Sequence, residues 1–363
     1  MAITRRNTRG VKLGGLLVGG GAPVSVQSMC STDTRNVRAT VAQARRLAAA
    51  GCEVVRIAVP DEDAALCLGR IRAALPGLPL VADIHFNHRF AIAAVEAGFD
   101  GLRINPGNIG SPSRVKEVVH AAAERKVPIR IGVNSGSLEK KLIARFGGAT
   151  PEALVESALG HVRLLEDLDY REIKISIKSF DVLSTVEACG MLAQRCDYPF
   201  HAGITEAGTL LAGSIRSGVG LGILLHLGLA DTLRVSLTAD PVHEVTAGFR
   251  ILKSLGLRRR GADVISCPTC GRSHGDVRGI AVRLEKKLAG VGQDIRIAVM
   301  GCEVNGPGEA READAGLALG GGCALIFRKG KVVRKVARDE AEAALKAEVD
   351  RLIRPPASRP GRR

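Results

Sequence analysis

Eight short stretches, most of them rich in Val and Ile, at 24–29, 54–59, 80–86, 101–106, 128–134, 172–179, 200–205 and 232–238, each precede a segment that can hold a helix. The helical segments carry their own punctuation. The one at 35–50 closes on Gly51, that at 87–97 opens on the capping residue Asn87 and closes on Gly98, and that at 151–168 follows Thr150. Strand then helix, eight times over, is the count for a closed (β/α)8 TIM-type barrel. A doubly wound open sheet is the alternative, and eight units at this spacing favour closure. The last hundred residues change character. Ile265 leads into a cysteine pair, 276–290 is helical and amphipathic, and 295–301 is a strand running into Cys302. Two further strands, 323–327 and 331–336, straddle a turn at Arg328-Lys329-Gly330, and 339–353 closes as a helix. The expected α/β organisation is a barrel over 1–260 and a small α+β domain over 261–354. The tail 355–363, rich in Pro and Arg, offers almost nothing to bury and is expected to be disordered.

Side chains two apart on a strand share a face. In the sixth stretch Ile173, Ile175 and Ile177 fall on one face and Lys174, Ser176 and Lys178 on the other. The apolar face suits the helices, so the polar face must point into the barrel. The same split recurs in Asp83 with His85, Arg103 with Asn105, and Arg130 with Gly132 and Asn134. It recurs again in His201 with Gly203 and Thr205, and in Arg234 with Ser236 and Thr238, while Arg56 sits among Val55, Ile57 and Ala58. Barrel interiors are normally filled by branched apolar side chains. Here Arg56, Arg103, Arg130, Lys174, Lys178 and Arg234 project inward against few acids. Buried unpaired charge is costly, so an anion is expected, and a substrate with more than one phosphate suits this many guanidinium forks. The plainer alternative is internal pairing with Asp83, Glu206 and Asp231, but three acids cannot neutralise six cations. His85 and His201 taken singly read as satisfied core histidines. Glu206 stands just past the seventh strand, where barrel chemistry is placed, and it equally suits the start of a helix.

The chain carries 52 basic and 37 acidic residues, a net charge of +15. That raises nucleic-acid binding, but with 3% aromatics and no Trp there is little for bases to stack on. No apolar run reaches the ~18 residues of a membrane span, and no signal-peptide pattern opens the sequence. The expected location is cytoplasmic, where nine cysteines are thiols or metal ligands rather than disulfides.

Cys267-Pro-Thr-Cys270 is followed after 31 residues by Cys302, and then by Glu309 within Asn305-Gly-Pro-Gly-Glu-Ala310. Three soft sulfur donors with a harder carboxylate suit a metal or cluster site in which one metal ion exchanges more readily than its neighbours. From pattern alone an iron–sulfur cluster and a structural zinc, with Cys323 as a fourth ligand, stand level. A thioredoxin-type dithiol is disfavoured because Gly271-Arg272-Ser273, not a helix, follows the pair. Cys30, Cys52, Cys67, Cys189 and Cys196 are scattered, most of them as small buried hydrophobes.

Taken together, several motifs resemble the bacterial 4-hydroxy-3-methylbut-2-enyl diphosphate synthases. They are Val26-Gln-Ser-Met29, Val54-Val-Arg-Ile57, Asp83-Ile-His-Phe86, Arg103-Ile-Asn-Pro-Gly-Asn108 and Arg130-Ile-Gly-Val-Asn-Ser-Gly-Ser137. The likeness continues in Ile175-Ser-Ile-Lys178, Gly203-Ile-Thr-Glu-Ala-Gly208, Asp231-Thr-Leu-Arg-Val-Ser-Leu-Thr238, Cys267-Pro-Thr-Cys270 and Met300-Gly-Cys-Glu-Val-Asn-Gly-Pro-Gly-Glu-Ala310. The resemblance spans about residues 5–350. It implies a 4Fe–4S cluster on Cys267, Cys270, Cys302 and Glu309, and reductive ring opening of 2-C-methyl-D-erythritol 2,4-cyclodiphosphate with electrons from reduced flavodoxin or ferredoxin. It also implies a homodimer with the cluster domain of one subunit over the barrel mouth of the other, and no nucleic-acid or membrane partner. Carried over by motif, Arg56, Arg103, Arg130 and Lys178 bind the diphosphate, helped by Asn105, Asn134, Arg234 and Ser236. Glu206 serves as proton donor or acceptor, and His85 lines the same pocket. Cys30-Ser31 and His226-Leu-Gly-Leu-Ala230 depart from the family's usual residues, away from every implied contact.

Overall fold

A computed structural model describes residues 3–302, 308 and 310–353. Glu309, the rest of its loop and the tail 355–363 lie outside the described residues. The chain divides into two compact units between Arg258 and Arg259.

The first unit opens with a hairpin, β1 (Gly10–Leu13) and β2 (Leu16–Gly19), whose glycine-rich sequence conceals it from strand patterning. The barrel strands follow as β3 (Ser25–Met29), β4 (Val54–Ala58), β5 (Leu80–Asp83), β6 (Gly101–Ile104), β7 (Ile129–Asn134), β8 (Ile173–Lys178), β9 (His201–Ala202) and β10 (Thr232–Leu233). They pair in parallel in the order β8-β7-β6-β5-β4-β3-β10-β9. The Ile175 N–H donates to Pro199 O at 3.0 Å, and the parallel bridge Ile175–Phe200 brings the two ends of the sheet together. All eight expected strands are present. The last two are much shorter than their Val- and Ile-bearing stretches: after Arg234 N, which bonds to Ala202 O at 3.0 Å, the continuous ladder ends and the Leu237 N–H bonds to the Glu244 carboxylate at 3.0 Å.

Helices start where side-chain caps satisfy their free N–H groups. Asn36 accepts from Ala39 N at 3.1 Å, and Thr150 accepts from Ala153 N at 3.3 Å. Ile173, Ile175 and Ile177 are buried in the layer between strands and helices, while on the opposite face Lys174 is buried and Ser176 and Lys178 line the lumen cavity. Leu13 of the hairpin packs with Leu16, Val54 and Val81 and stoppers the N-terminal end of the barrel. That contact demands Gly101, where an added methyl would lie 2.4 Å from Leu13 Cδ1.

The second unit is a five-stranded sheet in the order β11 (Ala262–Ser266), β12 (Ile295–Met300), β13 (Ala315–Leu319), β14 (Cys323–Arg328) and β15 (Lys331–Ala337). Helices Val277–Leu288 and Ala341–Ile353 bury their apolar faces against it. The β14–β15 turn uses Lys329 and Gly330, both with positive φ (46° and 74°), as a two-residue hairpin requires. Strand β13, Ala-Gly-Leu-Ala-Leu, is too poor in β-formers to show in the sequence and owes its place to burial between β12 and β14. Among the described residues no helix is long and apolar enough to cross a membrane.

Candidate active site

At the C-terminal ends of the barrel strands lies a cavity of about 190 Å³, polar on nearly every side. Arg56, His85, Arg103, Arg130, Asn134, Lys178, Arg234 and Ser236 line it, with Asp83, Ser176, Thr205 and Gly132. Eight of the ten barrel positions singled out from sequence therefore meet in one place. Asn105 and Glu206 do not line it. Asn105 is buried beside it, its Oδ1 accepting from Gly107 N at 3.1 Å and its Nδ2 lying 3.5 Å from Ser137 Oγ. Glu206 is exposed at the rim in a left-handed turn with φ of 53°.

Two carboxylates serve the cations. Asp83 lies 3.2 Å from Arg103 Nη1, 3.7 Å from Arg56 Nε and 3.4 Å from His85 Nε2. Burial opposes its charge, but Arg56, then His85 and Arg103, outweigh that and hold the carboxyl far below the ordinary range. The second carboxylate, Glu244, escapes the strand-based reading because it comes from the helix Pro241–Ser254. It takes Arg234 at 3.0 and 3.1 Å and also accepts from Ser28 Oγ at 2.8 Å. Its signal is the helical phase: Pro241, Glu244, Val245, Gly248 and Leu252 form one buried stripe, so Glu244 points inward despite sitting in an ordinary first-turn position. Asp231, the other acid weighed as a partner, is bonded instead to Arg5 at 2.7 Å and to Phe200 N at 2.9 Å.

Six basic side chains thus face two carboxylates. Among the described residues Arg56 gains the Met29 thioether besides Asp83, with Nη2 at 2.9 Å. Arg130 Nε and Nη1 are buried with no partner among the described residues. Burial, reinforced by Arg56 and Arg103, drives Arg130 well below its usual pKa. A guanidinium has no proton to give up near neutrality, so the cost persists as a demand for an anion. Lysine can respond by losing its proton. Burial and then Arg130 lower Lys174 to about 7, and the same causes lower Lys178 strongly. His201, buried with neither ring nitrogen partnered among the described residues, is not the satisfied core histidine its sequence context indicates, and burial and then Arg130 keep it neutral. Gly132 makes the arrangement possible, since a methyl there would sit 2.6 Å from Arg103 Nε.

In the second unit β11 and β12 are parallel neighbours, with Ser266 opposite Val299. Cys267 and Cys302 therefore leave the same end of the sheet. The Cys267 N–H still bonds to Val299 O at 3.0 Å, and His274 N ties the cysteine loop to Gly301 O at 2.8 Å. Thr269, with φ of 63°, turns its N–H to within 3.4 Å of Cys267 Sγ. Cys270 is exposed, and its thiol is lowered by the Arg272 backbone N–H and then by the Arg272 guanidinium. The buried Cys30, Cys52 and Cys189 are pushed up to about 12 by burial. Thiolates rather than thiols bind metal, so the donors that fit a cluster are those at the sheet end. Among the described residues these thiols are not drawn together into a closed set of metal donors, and Glu309 lies outside the described residues.

Comparison with known proteins matches residues 8–249 to the GcpE TIM-barrel domain and residues 263–351 to the GcpE protein C-terminal domain. A Geobacter sulfurreducens protein named 4-hydroxy-3-methylbut-2-en-1-yl diphosphate synthase (flavodoxin) is 58% identical, covering 96% of this chain and 99% of its own length. A protein of the same name from Dehalococcoides mccartyi (strain CBDB1) is 53% identical over 96% of this chain and all of its own length. Among solved structures, a Stenotrophomonas maltophilia dihydropteroate synthase superposes with a TM-score of 0.50 at 17% identity, over 69% of this chain and 97% of its own, a likeness of fold alone.

Proposed function

Because the chain belongs to the GcpE family, we propose that it opens 2-C-methyl-D-erythritol 2,4-cyclodiphosphate reductively to 4-hydroxy-3-methylbut-2-enyl diphosphate, a step of isoprenoid biosynthesis. The observation that carries the reading is the cavity's charge: five cations line a space of about 190 Å³ and are reached, among the described residues, by two carboxylates. The cyclic diphosphate is a dianion. Two electrons and one proton break its ring C–O bond, release the departing hydroxyl as water and leave a trianion. The product is one charge more negative than the substrate, so spare cations favour the forward direction.

Arg130, whose Nε and Nη1 have no partner among the described residues, and Arg103 and Arg56, which share Asp83, are the proposed phosphate forks. Lys178 and Arg234, with Asn134 and Ser236, line the same space and are proposed as the further contacts. Asn105 is proposed to act from the adjoining loop. His85 and Glu206, at the wetter rim, are the proposed proton-handling groups, since one proton must reach the departing hydroxyl. A 4Fe–4S cluster on Cys267, Cys270, Cys302 and Glu309 would supply the electrons at the carbon whose oxygen departs. Flavodoxin, the donor in the relatives' printed names, is the proposed electron source, with ferredoxin as the alternative. A homodimer with a shared site completes the proposal. The excess basic charge, which first pointed toward nucleic acid, is partly accounted for inside the lumen.

Calorimetric titration with the cyclic diphosphate tests the binding half of this reading. Arg130→Met weakens binding roughly a hundredfold, as loss of a buried charge partner does. The affinity of the unaltered protein falls as pH rises through about 7, because Lys174, outside the cavity lining but coupled to Arg130, is protonated below that value and must take up a proton above it. Equal affinity in the variant and the unaltered protein would sink the assignment.

A further inference from the structure

Resting on the substrate reading above, we propose that His161 and Glu139 are positioning residues that hold the two asparagine-bearing loops of the barrel mouth in place for the substrate. Neither residue lines the substrate cavity, and neither was singled out by the sequence motifs. The long helix Pro151–Glu166 carries His161, which is 8% exposed, behind the loop that follows β6. An added methyl on Gly107 would lie 3.3 Å from His161 Cε1 and 3.3 Å from Asn105 Oδ1. The imidazole therefore backs the turn that Asn105 caps. On its other side His161 Nε2 lies 3.1 Å from Oε1 of Glu139, in the loop that follows β7, at ion-pair distance but without hydrogen-bond alignment. That loop folds back so that Ser137 Oγ meets both Asn134 O at 3.4 Å and Asn105 Nδ2 at 3.5 Å.

The contacts close a ring. Asn105 and Asn134 stand on its inner side, and the His161–Glu139 pair is its outer side. Behind the pair is an open cavity of about 460 Å³ lined by Glu139, Ser157, Gly160 and His161 among others. Leu138 and Leu142 anchor the segment in the core, and the polar contact braces it where it borders this cavity. Contact with His161, then with its own backbone N–H and with Ser157, outweighs burial and holds the Glu139 carboxyl down to about 2, so the pair keeps one anionic member throughout the neutral range. Side chains that act this way move little chemistry themselves. Losing one lets the loop sample other conformations, and binding then carries the cost of reordering it.

The full chain, reconstituted anaerobically, supplies the test. His161→Leu raises the KM for the cyclic diphosphate roughly tenfold with kcat nearly unchanged, the mark of lost binding rather than lost chemistry. His161→Gln, whose amide can donate to Glu139, recovers most of the loss. Glu139→Gln and Gly107→Ala disturb the ring from its other members and raise KM in the same way. The effects of Glu139→Gln and His161→Leu do not add in the double variant. A His161→Leu protein with normal KM overturns the proposal, and so does His161→Gln failing as badly as leucine. Amide exchange in segments 105–109 and 134–139 of the substrate-free protein separates this proposal from the substrate assignment. His161→Leu speeds exchange in both segments roughly tenfold. Unchanged exchange would overturn the positioning role even if the unaltered enzyme turns over normally. Faster exchange would support that role even if the cyclic diphosphate proved the wrong ligand.

Discussion

Asp83→Asn lowers the unfolding midpoint of the ligand-free barrel by roughly 10 °C, about 3 kcal/mol or more for a domain of this size. The shape of the side chain is kept and only its charge is removed. Asp83 is the carboxylate within ion-pair reach of Arg103, at 3.2 Å, and of Arg56, at 3.7 Å, among the described residues. With asparagine there, two buried guanidinium groups face Arg130 and Arg234 with Glu244, already paired to Arg234, as the remaining carboxylate, and neither can shed a proton. Inorganic diphosphate should restore much of the lost midpoint in the variant and less in the unaltered protein, because it supplies the missing charge. The Asp83 carboxyl is held far below the ordinary range. Its contribution is therefore complete above the unfolded carboxylate pKa and is lost only as pH falls through the lower native value. The difference between variant and unaltered protein should stay constant from about pH 5 to pH 8. Thermal unfolding with and without diphosphate reads both effects, and an unchanged midpoint would mean that the lumen carries less net charge than proposed.

Cys302→Ala has the larger effect on activity. Cys302 stands two residues past β12, at the sheet end that also presents Cys267. It is half-buried, so its removal leaves the core under β12 intact. The expected variant folds, retains little iron or acid-labile sulfide, and shows no turnover above background. It still binds the cyclic diphosphate, because every proposed phosphate contact belongs to the barrel unit. Cys189→Ala provides the contrast. That thiol is buried and pushed up to about 12, so it is no thiolate donor, and iron content should not change. Metal analysis beside a binding titration distinguishes the two, and full iron content in Cys302→Ala would remove it from the donor set.

Period-two alternation carries the barrel's inner face almost unaided. Lys174, Ser176 and Lys178 could be placed in the lumen from β8 alone, because its other face is Ile173, Ile175 and Ile177. The argument fails where function departs from the repeat. Asn105 sits one residue beyond β6 and turns to cap its own loop. Glu206 lies in a left-handed turn beyond the short β9, so strand parity does not govern its direction. Glu244 reaches the lumen from a helix and was legible only from helical phase. The His161–Glu139 contact joins residues 22 apart on a helix and a loop, and neither local periodicity could reveal it. In the second unit the cysteine spacing marks a metal site plainly. The parallel pairing that brings Cys267 and Cys302 to one end comes from β11 and β12.

The most direct measurement is a single anaerobic incubation of the iron- and sulfide-reconstituted protein with reduced flavodoxin and the cyclic diphosphate, read by mass spectrometry alongside donor oxidation. The account predicts 4-hydroxy-3-methylbut-2-enyl diphosphate, one oxygen lighter than the substrate, with two electrons consumed per product. Recovery of the cyclic diphosphate unchanged, or ring opening by hydrolysis while flavodoxin stays reduced, would contradict it.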